Sequence, residues 1–544
     1  MMKELFADYI FRNGKIITVN ESDDIAEAVA VKGNKILEVG TEEEIWKYFS
    51  DNTNVINLNG RTLLPGFVET HIHFTSISML EGGLVIQIKD AESIEEIREM
   101  LRKAVAAKKP GEWIYMEGYD HNKLKEKRHP SRWDFDDIAP DNPVSCTRIC
   151  HHMSVYNTYA MNKGGIFDES EFENPDEAMR DENGRLTGLF KESLQAKLAG
   201  DYDFNADECL TALKCAEKYL HSYGITSVHD MGSGLNNYGR NILQDAVQKG
   251  MIKERLYMIW CSLDGRVPGL AAANRIVDFG PHTGIGNEWY KMGPIKLLLD
   301  GSTSGPSCYM KEPYEHDKEL KGVMNYPYQE EINELFLKAA KNGFQVTAHA
   351  VGDGAVEAVL NAYEYVDAEY PLKDRRFKIE HSGFTFSENI ERIRRMGVVP
   401  VSNPSFITIN GADYKRFYGD RVNMMFPSAS YKEKGIVEAY GTDCPVTEPN
   451  PLMSIYAAMT RHDNLNDTVC GENQKVDLFY AIKCCTLNGA YASFEDDIKG
   501  SIEECKLADM IILSDDITSC DVEDIKNMKV DMTMIDGEVV YERN

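Results

Sequence analysis

Nowhere in its 544 residues does the sequence contain an apolar run that nears the roughly 20 residues of a membrane-spanning helix. Its beginning, "MMKELFADYIFRNGK", also lacks the central apolar stretch of a secretory signal peptide. The sequence therefore predicts neither a membrane span nor a secretory leader. A cytoplasmic protein is the expectation that follows from these two absences.

Positive charge is scarce as well. Lysine and arginine together number 59, against 88 aspartates and glutamates, so the formal net charge at pH 7 is −29. Such a surface repels nucleic acid backbones and anionic lipid headgroups. We therefore expect no nucleic acid and no membrane as partners, and a small molecule as the substrate. For the chain itself, a monomer and a homodimer both remain open.

A disulfide framework is a third absence. The 12 cysteines are irregularly spaced, with Cys484 and Cys485 adjacent, and reduced thiols in a cytosolic enzyme fit this pattern better. The stretch "CTRICHH" at residues 146–152 contains two cysteines and two histidines but has no matching second knuckle for zinc. A strand would also send His151 and His152 to opposite faces. A structural zinc site is not expected there.

The two ends of the chain resemble each other. Short apolar runs near the amino terminus are separated by Asn-Gly and Gly-Asn pairs, as in "AEAVAVKGNKILEVG", which is typical of β-hairpins. The closing stretch "VDMTMIDGEVVYERN" has the same character, with a turn at Asp536-Gly537. We therefore predict a small composite β-sandwich domain formed by residues 1–65 and 490–544.

The middle of the chain, residues 66–489, alternates buried strands with amphipathic helices such as "EINELFLKAAKNG". This alternation predicts an α/β fold, a (β/α)₈ TIM-type barrel of parallel strands with right-handed crossovers. About 150 residues separate the first two strands, too many for a loop, so we predict an inserted subdomain at about 75–215. The strand candidates are "FVETHIH", "GITSVHDM", "RLYMIWCSL", "PIKLLLD", "FQVTAHA", "FKIEHSG", "VVPVSN" and "GIVEAYGTD".

Residues that can bind metal ions follow several of these strands at their carboxyl ends, where barrel enzymes build their active sites. His71 and His73 share one strand face, so they are either half of a metal site or two polar side chains at a strand end. The other candidates are Lys296, His349, His381 and Asp443. They too have structural alternatives, since His381 could pair with Glu380 and Asp443 could cap a helix. The convergence of all these residues at one end of one barrel favours a site.

Three further stretches have weaker signals. In the insertion, Asp120 and His121 are candidates for lining the substrate pocket. His229, followed by Asp230, is interpreted as orienting groups inside the barrel rather than binding metal. The centre of "GSTSG" is Thr303 instead of the serine of a nucleophile elbow, which argues against a serine hydrolase.

Several motifs together resemble those of the amidohydrolase superfamily, in its amidohydrolase-3 or YtcJ-like branch. The resemblance extends over nearly the whole chain. It includes "GEWIYMEGYDHNKL" and "PDNPVSCTRICHHMSVYNTYAM" in the insertion and "GSIEECKLADMIIL" near the end. The barrel motifs are "LLPGFVETHIHF", "GPIKLLLDGSTS", "TAHAVGDGAVEAVL", "FKIEHSG" and "YGTDCPV".

The resemblance implies a metal-dependent hydrolase with one or two Zn²⁺ ions per chain, for which other divalent transition metals could substitute. It implies that His71, His73 and Asp443 hold one metal ion. His349 and His381 would hold the second. Asp443 would also take a proton from the attacking water and pass it to the leaving nitrogen.

Two departures from the family pattern affect what can be carried over. The resemblance implies that His152 contacts substrate, but His151 stands before it where the family usually has glycine. Cys505 likewise replaces a usual glycine, far from the predicted chemistry.

Lys296 lies in the apolar stretch "GPIKLLLD", where burial of a lone ammonium costs free energy. It could form an ion pair with a carboxylate such as Asp300. The resemblance instead implies a carbamylated lysine, in which CO₂ converts the side chain into an anion that bridges two metal ions.

The function that the resemblance implies is cleavage of a C–N bond by metal-activated water, in an amide, an N-formyl or N-acyl amine, or a cyclic amide. A deaminase of the same superfamily is the alternative within this fold, because both reactions attack an sp² carbon. A non-catalytic binding protein on the same scaffold is the alternative from another class.

Overall fold

The computed structural model describes residues 6–543 apart from 122, 149–152, 173–174, 192–193, 195–197, 199–203, 233–236 and 262–268. The chain divides into two compact units. The first contains Met1–Phe74, Glu217–Ser233 and Ala246–Asn544, and the second contains Thr75–Ala216 and Gly234–Asp245. In the described part of the chain, no helix combines the length and apolar character needed to cross a bilayer.

The β-strands are numbered in chain order. Those near the amino terminus are β1 (Tyr9–Ile17), β2 (Ile25–Lys32), β3 (Lys35–Gly40), β4 (Asn54–Asn57), β5 (Thr62–Pro65) and β6 (Phe67–Ile72). The second unit contains β7 (Val85–Gln87), β8 (Ile114–Tyr119), β9 (Val144–Arg148), β10 (Met153–Tyr156), β11 (Ala178–Arg180) and β12 (Leu186–Lys191). Next come β13 (Ile225–Asp230), β14 (Arg255–Cys261), β15 (Tyr290–Leu298), β16 (Val346–Ala350), β17 (Lys378–His381), β18 (Val399–Ser402) and β19 (Ala439–Tyr440). The last are β20 (His462–Asp463), β21 (Thr468–Val469), β22 (Met510–Leu513), β23 (Val530–Ile535) and β24 (Glu538–Glu542).

The α-helices of the described residues lie in the segments between these strands and are also numbered in chain order. They are α1 (Glu42–Ile45), α2 (Phe74–Glu81), α3 (Ile94–Ala107), α4 (Trp133–Asp136), α5 (Thr158–Lys163), α6 (Ala206–His221), α7 (Asn237–Gln248), α8 (Gly269–Phe279), α9 (Gln329–Lys341), α10 (Asp353–Asp367), α11 (Ser387–Met396), α12 (Ile407–Tyr418), α13 (Ser428–Glu433), α14 (Pro451–Thr460), α15 (Leu478–Cys484), α16 (Leu487–Ala492) and α17 (Val522–Ile525). Short 3₁₀-helices are Trp46–Tyr48, Pro175–Glu177, Pro404–Phe406, Gly419–Met424 and Glu472–Gln474.

Eight parallel strands form a nearly closed barrel in the order β19-β18-β17-β16-β15-β14-β13-β6. Hydrogen bonds join the first barrel strand, β6, to β19 and to the residues that follow it. Thr70 Oγ1 donates to the carbonyl of Tyr440 at 2.6 Å, and the amide of Asp443 donates to the carbonyl of His71 at 2.8 Å. The predicted (β/α)₈ TIM-type barrel is confirmed, and each strand contains residues of one of the eight stretches identified in the sequence.

Helices pack on the outside of the barrel as the amphipathic pattern predicts. The apolar faces of α9, α10 and α11 cover β15, β16 and β17, and their side chains form one continuous buried cluster. This cluster includes Leu335, Phe336, Val356, Leu360, Ile379 and Ile393. The outer surface of the strands is therefore the apolar core, which leaves the inner surface available for polar residues.

Both ends of the chain join one eight-stranded sheet, in the order β24-β23-β22-β5-β1-β2-β3 with β4 also paired to β1. The amino-terminal and carboxyl-terminal parts meet where β5 runs antiparallel to β22, with Leu64 opposite Ile511. Phe11, Val29 and Met532 are buried on this sheet.

The second unit has its own six-stranded sheet, in the order β11-β12-β10-β9-β8-β7. β7, β8 and β9 are parallel, and the pairs β9–β10, β10–β12 and β12–β11 are antiparallel. Ile97 and Leu101 of α3 share a buried cluster with Met116, Phe135 and Val144. The unit therefore has a hydrophobic core of its own.

Arg255 joins the barrel to the terminal sheet. Its side chain is 1 % exposed and donates to both carboxylate oxygens of Asp509, at 2.7 and 3.0 Å, and to Asp536 at 3.0 Å. Because these carboxylates flank β22 and β23, one guanidinium connects the first residue of β14 to the turns of the sheet.

We expect Arg255→Leu to lower the free energy of unfolding by about 3–5 kcal/mol, because it leaves the buried Asp509 carboxylate without a cation. Arg543→Leu is the control, since Arg543 is half-exposed and pairs with Asp531 on the same sheet. That change should cost less than about 1 kcal/mol. Urea unfolding measures both, and equal effects from the two substitutions would contradict the special role of Arg255.

Candidate metal centre

Three predicted ligands come together at the carboxyl ends of β6 and β19. The ligand atoms of His71, His73 and Asp443 all lie within 4.8 Å of one another. Asp443 Oδ1 is 3.0 Å from His73 Nε2 and 3.4 Å from His71 Nε2. The two histidines point the same way because alternate residues of a strand share a face.

The donor set of this cluster fits a metal ion. Asp443 Oδ1 is buried but makes no hydrogen bond within the described part of the chain, although two imidazole nitrogens lie close to it. A buried carboxylate oxygen without a donor is costly unless something else satisfies it. Two imidazole nitrogens and one carboxylate oxygen that face a common point are ligands that Zn²⁺ accepts.

Two residues of the site adopt left-handed backbone conformations that are uncommon for residues other than glycine. His381 has φ 69° and Asp443 has φ 56°. In a regular strand Glu380 and His381 would point to opposite faces. The left-handed turn at His381 ends β17 and allows both side chains to lie beside His71. Such strain is retained where the surrounding structure enforces it, often at functional sites.

Glu380 fixes the orientation of the His71 ring. It was not among the site residues predicted from the sequence. Its Oε2 lies 2.7 Å from His71 Nδ1, and both side chains are buried. Since a carboxylate accepts, Nδ1 carries the proton and Nε2 keeps a lone pair for a metal ion. Glu380 therefore pairs with His71 across the barrel, and the alternative of a pair with its neighbour His381 is not what the structure has.

The other two histidines of the site are oriented in the same manner. His381 Nδ1 lies 2.7 Å from Asn403 Oδ1, and the Asn403 amide nitrogen donates to the carbonyl of Gly441 at 2.7 Å, which leaves Nε2 of His381 as the ligand atom. His349 Nε2 lies 3.1 Å from the carbonyl of Gly301, which leaves Nδ1. The two rings are 4.5 Å apart between centroids, so these nitrogens belong to one region.

The protonation states suit metal ligands. Burial lowers the pKa of His349 to about 4, with help from the nearby Lys296. Burial likewise lowers the pKa of His73 and, more strongly, of His381. Burial opposes ionisation of Asp443, but His71 and His73 outweigh it and hold the pKa of this carboxyl well below its usual value. Neutral imidazoles and an ionised carboxylate are the forms that bind metal.

Lys296 lies next to this cluster rather than next to Asp300. Its ammonium is 3.3 Å from His71 Nε2 and 3.2 Å from Met231 Sδ, and its side chain is buried. Within the described residues, no carboxylate oxygen lies within 4.0 Å of it. Asp300 instead accepts hydrogen bonds from the backbone amides of Tyr309 (2.9 Å), Val351 (3.0 Å) and Gly352 (2.8 Å). Among the described residues, Lys296 therefore does not form the ion pair with Asp300 that was its alternative.

Glu69 and Gly441 bring the ends of β6 and β19 together, and the sequence did not reveal either. Glu69 Oε1 accepts from the amide of His71 at 3.1 Å and from the amide of Thr442 at 2.9 Å. A Cβ at Gly441 would lie 2.5 Å from the Cβ of His71. A side chain at this position would therefore push Asp443 away from the histidines.

The remaining candidates lie elsewhere or outside the described residues. His229 is buried inside the barrel beside Tyr257, with ring centroids 5.0 Å apart, and Asp230 Oδ1 accepts from the amide of Phe74 at 2.9 Å. The Thr303 hydroxyl is buried 3.0 Å from that of Tyr414. His152, like its neighbour His151, falls outside the described residues.

In the second unit, Asp120 and His121 share one partner. Arg148 donates to His121 Nδ1 at 3.1 Å and pairs with Asp120 at 3.2 Å. The His121 ring also stacks on that of His129, with centroids 4.0 Å apart. A role for Asp120 and His121 in lining the substrate pocket stays a prediction.

Comparison with known proteins agrees with this geometry. A family model described as the amidohydrolase family matches residues 54–541. The protein YtcJ of Bacillus subtilis (strain 168) is 28 % identical over 98 % of this chain and 99 % of its own. An N-substituted formamide deformylase of Arthrobacter pascens is 24 % identical over 98 % of each chain.

The fold is also found among solved structures. A crystal structure of an uncharacterized metal-dependent hydrolase from Pyrococcus horikoshii OT3 aligns with a TM-score of 0.77 at 21 % sequence identity. The alignment covers 95 % of this chain and 99 % of that one. At this identity the likeness supports the fold.

We expect Gly441→Ala to lower the free energy of unfolding by about 1–3 kcal/mol, the usual cost of overpacking, and to lower the metal content of the purified protein. The reason is the 2.5 Å approach of the added Cβ to His71. Gly305→Ala is the control, because no heavy atom lies within 4 Å of its added Cβ. Elemental analysis and urea unfolding measure both, and a fully metal-loaded Gly441→Ala protein would contradict the expectation.

Proposed function

This chain belongs to the amidohydrolase family, and from that premise we propose that it is a metal-dependent hydrolase of C–N bonds. Its substrate would be an amide, an N-formyl or N-acyl amine, or a cyclic amide. The observation that carries the proposal is the cluster of His71, His73 and Asp443 at the carboxyl ends of the barrel strands. The similarity to an N-substituted formamide deformylase over nearly the whole chain supports this class of bond.

We assign the metal ligands from the side-chain atoms that converge at the strand ends. His71, His73 and Asp443 would hold one ion, and His349 and His381 would contribute to a second. A set of imidazoles with a carboxylate suits zinc. When bound, the ion would polarise the scissile carbonyl and lower the pKa of the water that attacks it.

Asp443 is proposed to move the proton. Its carboxylate is ionised because the pKa is held well below the usual value by His71 and His73, although burial acts in the opposite direction. As water adds to the carbonyl carbon, the carboxylate takes its proton and then gives it to the leaving nitrogen. The C–N bond breaks, and the products are a carboxylic acid and an amine.

The environment of Lys296 supports its carbamylation. In the unmodified side chain, the ammonium lies 3.3 Å from His71 Nε2, the atom that would face a metal ion. A metal ion bound at this nitrogen would therefore lie close to the ammonium, and two neighbouring cations repel. If the neutral amine adds to CO₂, an N–C bond forms, one proton leaves and the side chain becomes an anion. The repulsion then becomes an attraction.

The direct test is a panel of simple amides, N-substituted formamides and cyclic amides, assayed with zinc-loaded protein. We expect hydrolysis of at least one class, and we expect Asp443→Asn to lower kcat by at least about a hundredfold, the scale of general acid–base catalysis. Release of the amine measures turnover. Near-normal kcat in Asp443→Asn would show that another group moves the proton.

The same panel separates the alternatives. Ammonia released from an exocyclic amine, with no amide cleaved, would make the protein a deaminase. Metal-loaded protein that binds these compounds without turnover would make it a binding protein on this scaffold. His71→Ala should be folded but metal-poor and inactive, and full activity without metal would refute the proposal.

For Lys296, we expect a mass increase of one CO₂ on the peptide or, since carbamates are labile, a carbamate carbon signal after incubation with ¹³C-labelled bicarbonate. Lys296→Ala should be inactive and metal-poor, and short carboxylic acids should restore part of both because they can fill the same space. Lys291→Ala is the control, as this lysine lies in the same strand but donates to the carbonyl of Ser493. An unmodified Lys296 in fully active, metal-loaded protein would refute the carbamate.

A further inference from the structure

The two oxygens of the Glu380 carboxylate have different partners. Oε2 accepts from His71 Nδ1 at 2.7 Å. Oε1 accepts from the Thr347 hydroxyl at 2.8 Å and lies 2.9 Å from the ammonium of Lys378. One oxygen therefore faces a proposed ligand, while the other is held from β16 and β17.

Lys378 contacts the site through Glu380. It is fully buried, and it lies two residues before Glu380 on the same face of β17, deeper inside the barrel. Burying an ammonium is costly, so a lysine here needs a compensating contribution. Its carboxylate partner is Glu380, which it shares with Thr347.

We propose that Lys378 is a positioning residue that, together with Thr347, locks the rotation of the Glu380 carboxylate and so fixes the orientation of the His71 ring. The inference rests on the metal centre of the proposed function. Held by two groups at Oε1, the carboxylate keeps Oε2 against His71 Nδ1. His71 Nε2 is then directed at the position shared with His73 and Asp443.

The direction of the change in zinc affinity distinguishes a positioning role of Lys378 from a direct effect of its charge. Lys378 carries a positive charge near the site, and removing a positive charge by itself favours the binding of a cation. Loss of positioning has the opposite consequence, because direct partners of metal-bound histidines, such as Glu380 here, typically contribute about 10–100-fold to metal affinity, and Lys378 would act through this partner. Weaker metal binding in a variant without the ammonium is therefore specific to positioning.

The test is the zinc affinity of the full-length protein, measured by competition with a chromophoric chelator. Lys378→Met keeps the length of the side chain and removes the ammonium, and we expect it to weaken zinc binding by about tenfold or more. Lys499→Met is the matched control. Lys499 is also buried and lies 3.0 Å from a glutamate, Glu495, which touches no proposed ligand. Its zinc affinity should equal that of the wild type.

Two further variants extend the test, and the first of them does not depend on whether Lys378→Met folds. Thr347→Val is close in shape and removes one hydrogen bond to the same oxygen, so zinc binding should weaken on the order of threefold. In Glu380→Gln, the amide oxygen can still accept from His71. The amide nitrogen then faces the Lys378 ammonium, and neither group can accept from the other, so adding Lys378→Met to this variant should not weaken zinc binding further.

Unchanged or tighter zinc binding in Lys378→Met, or an equal loss in Lys499→Met, would overturn the inference. So would a loss from Lys378→Met that persists undiminished in the Glu380→Gln background. These results differ from a failure of the proposed function, in which the wild-type protein itself would bind no zinc. Thermal unfolding of each variant distinguishes a loss of fold from a loss of affinity.

Discussion

The site depends on the close approach of the ends of β6 and β19. These strands stand at opposite ends of the barrel order. The gap between them is closed by backbone hydrogen bonds, by the side chains of Glu69 and Thr70, and by the close approach that Gly441 allows. The backbone amide of Asp443 donates a hydrogen bond to the carbonyl of His71. The same contact that closes the barrel therefore positions the Asp443 carboxylate. The contacts that close the barrel therefore also assemble the candidate metal centre.

A second constraint follows from the polar interior of the barrel. Interiors of such barrels are mostly filled by branched apolar side chains, whereas Lys296, Thr347, Lys378 and Glu380 are all buried in this one. Burial keeps imidazoles neutral, which is the state a metal ion needs, but it also makes every unpaired charge costly. The apolar helix faces outside the barrel and the polar side chains inside it thus have complementary roles, because the first supply stability and the second supply chemical groups.

The sequence was sufficient for the eight barrel strands and for placing the candidate ligands at their ends, because apolar runs and strand ends are local properties. It could not reveal Glu380 as the partner of His71 or Asn403 as the partner of His381, because these contacts join residues of different strands. Strand alternation also fails at His381, where the left-handed backbone turns the ring inward. From the sequence, Asp300 was a candidate counterion for Lys296, but its carboxylate accepts hydrogen bonds from three backbone amides instead.

Three buried carboxylates near the same histidines have different roles because their neighbours differ. Glu380 lies against Lys378 and His71, which hold its pKa well below the usual value despite burial, so it remains an anion that orients His71. Burial raises the pKa of Glu69 to about 7, and the hydrogen bonds from the backbone amides of Thr442 and His71 offset this only in part. Both amides bond the same oxygen, Oε1, so a proton on the other oxygen leaves these hydrogen bonds intact. The contact that closes the barrel can thus tolerate either protonation state of Glu69, whereas the two roles proposed for Asp443, metal ligand and proton acceptor, both require an ionised carboxylate.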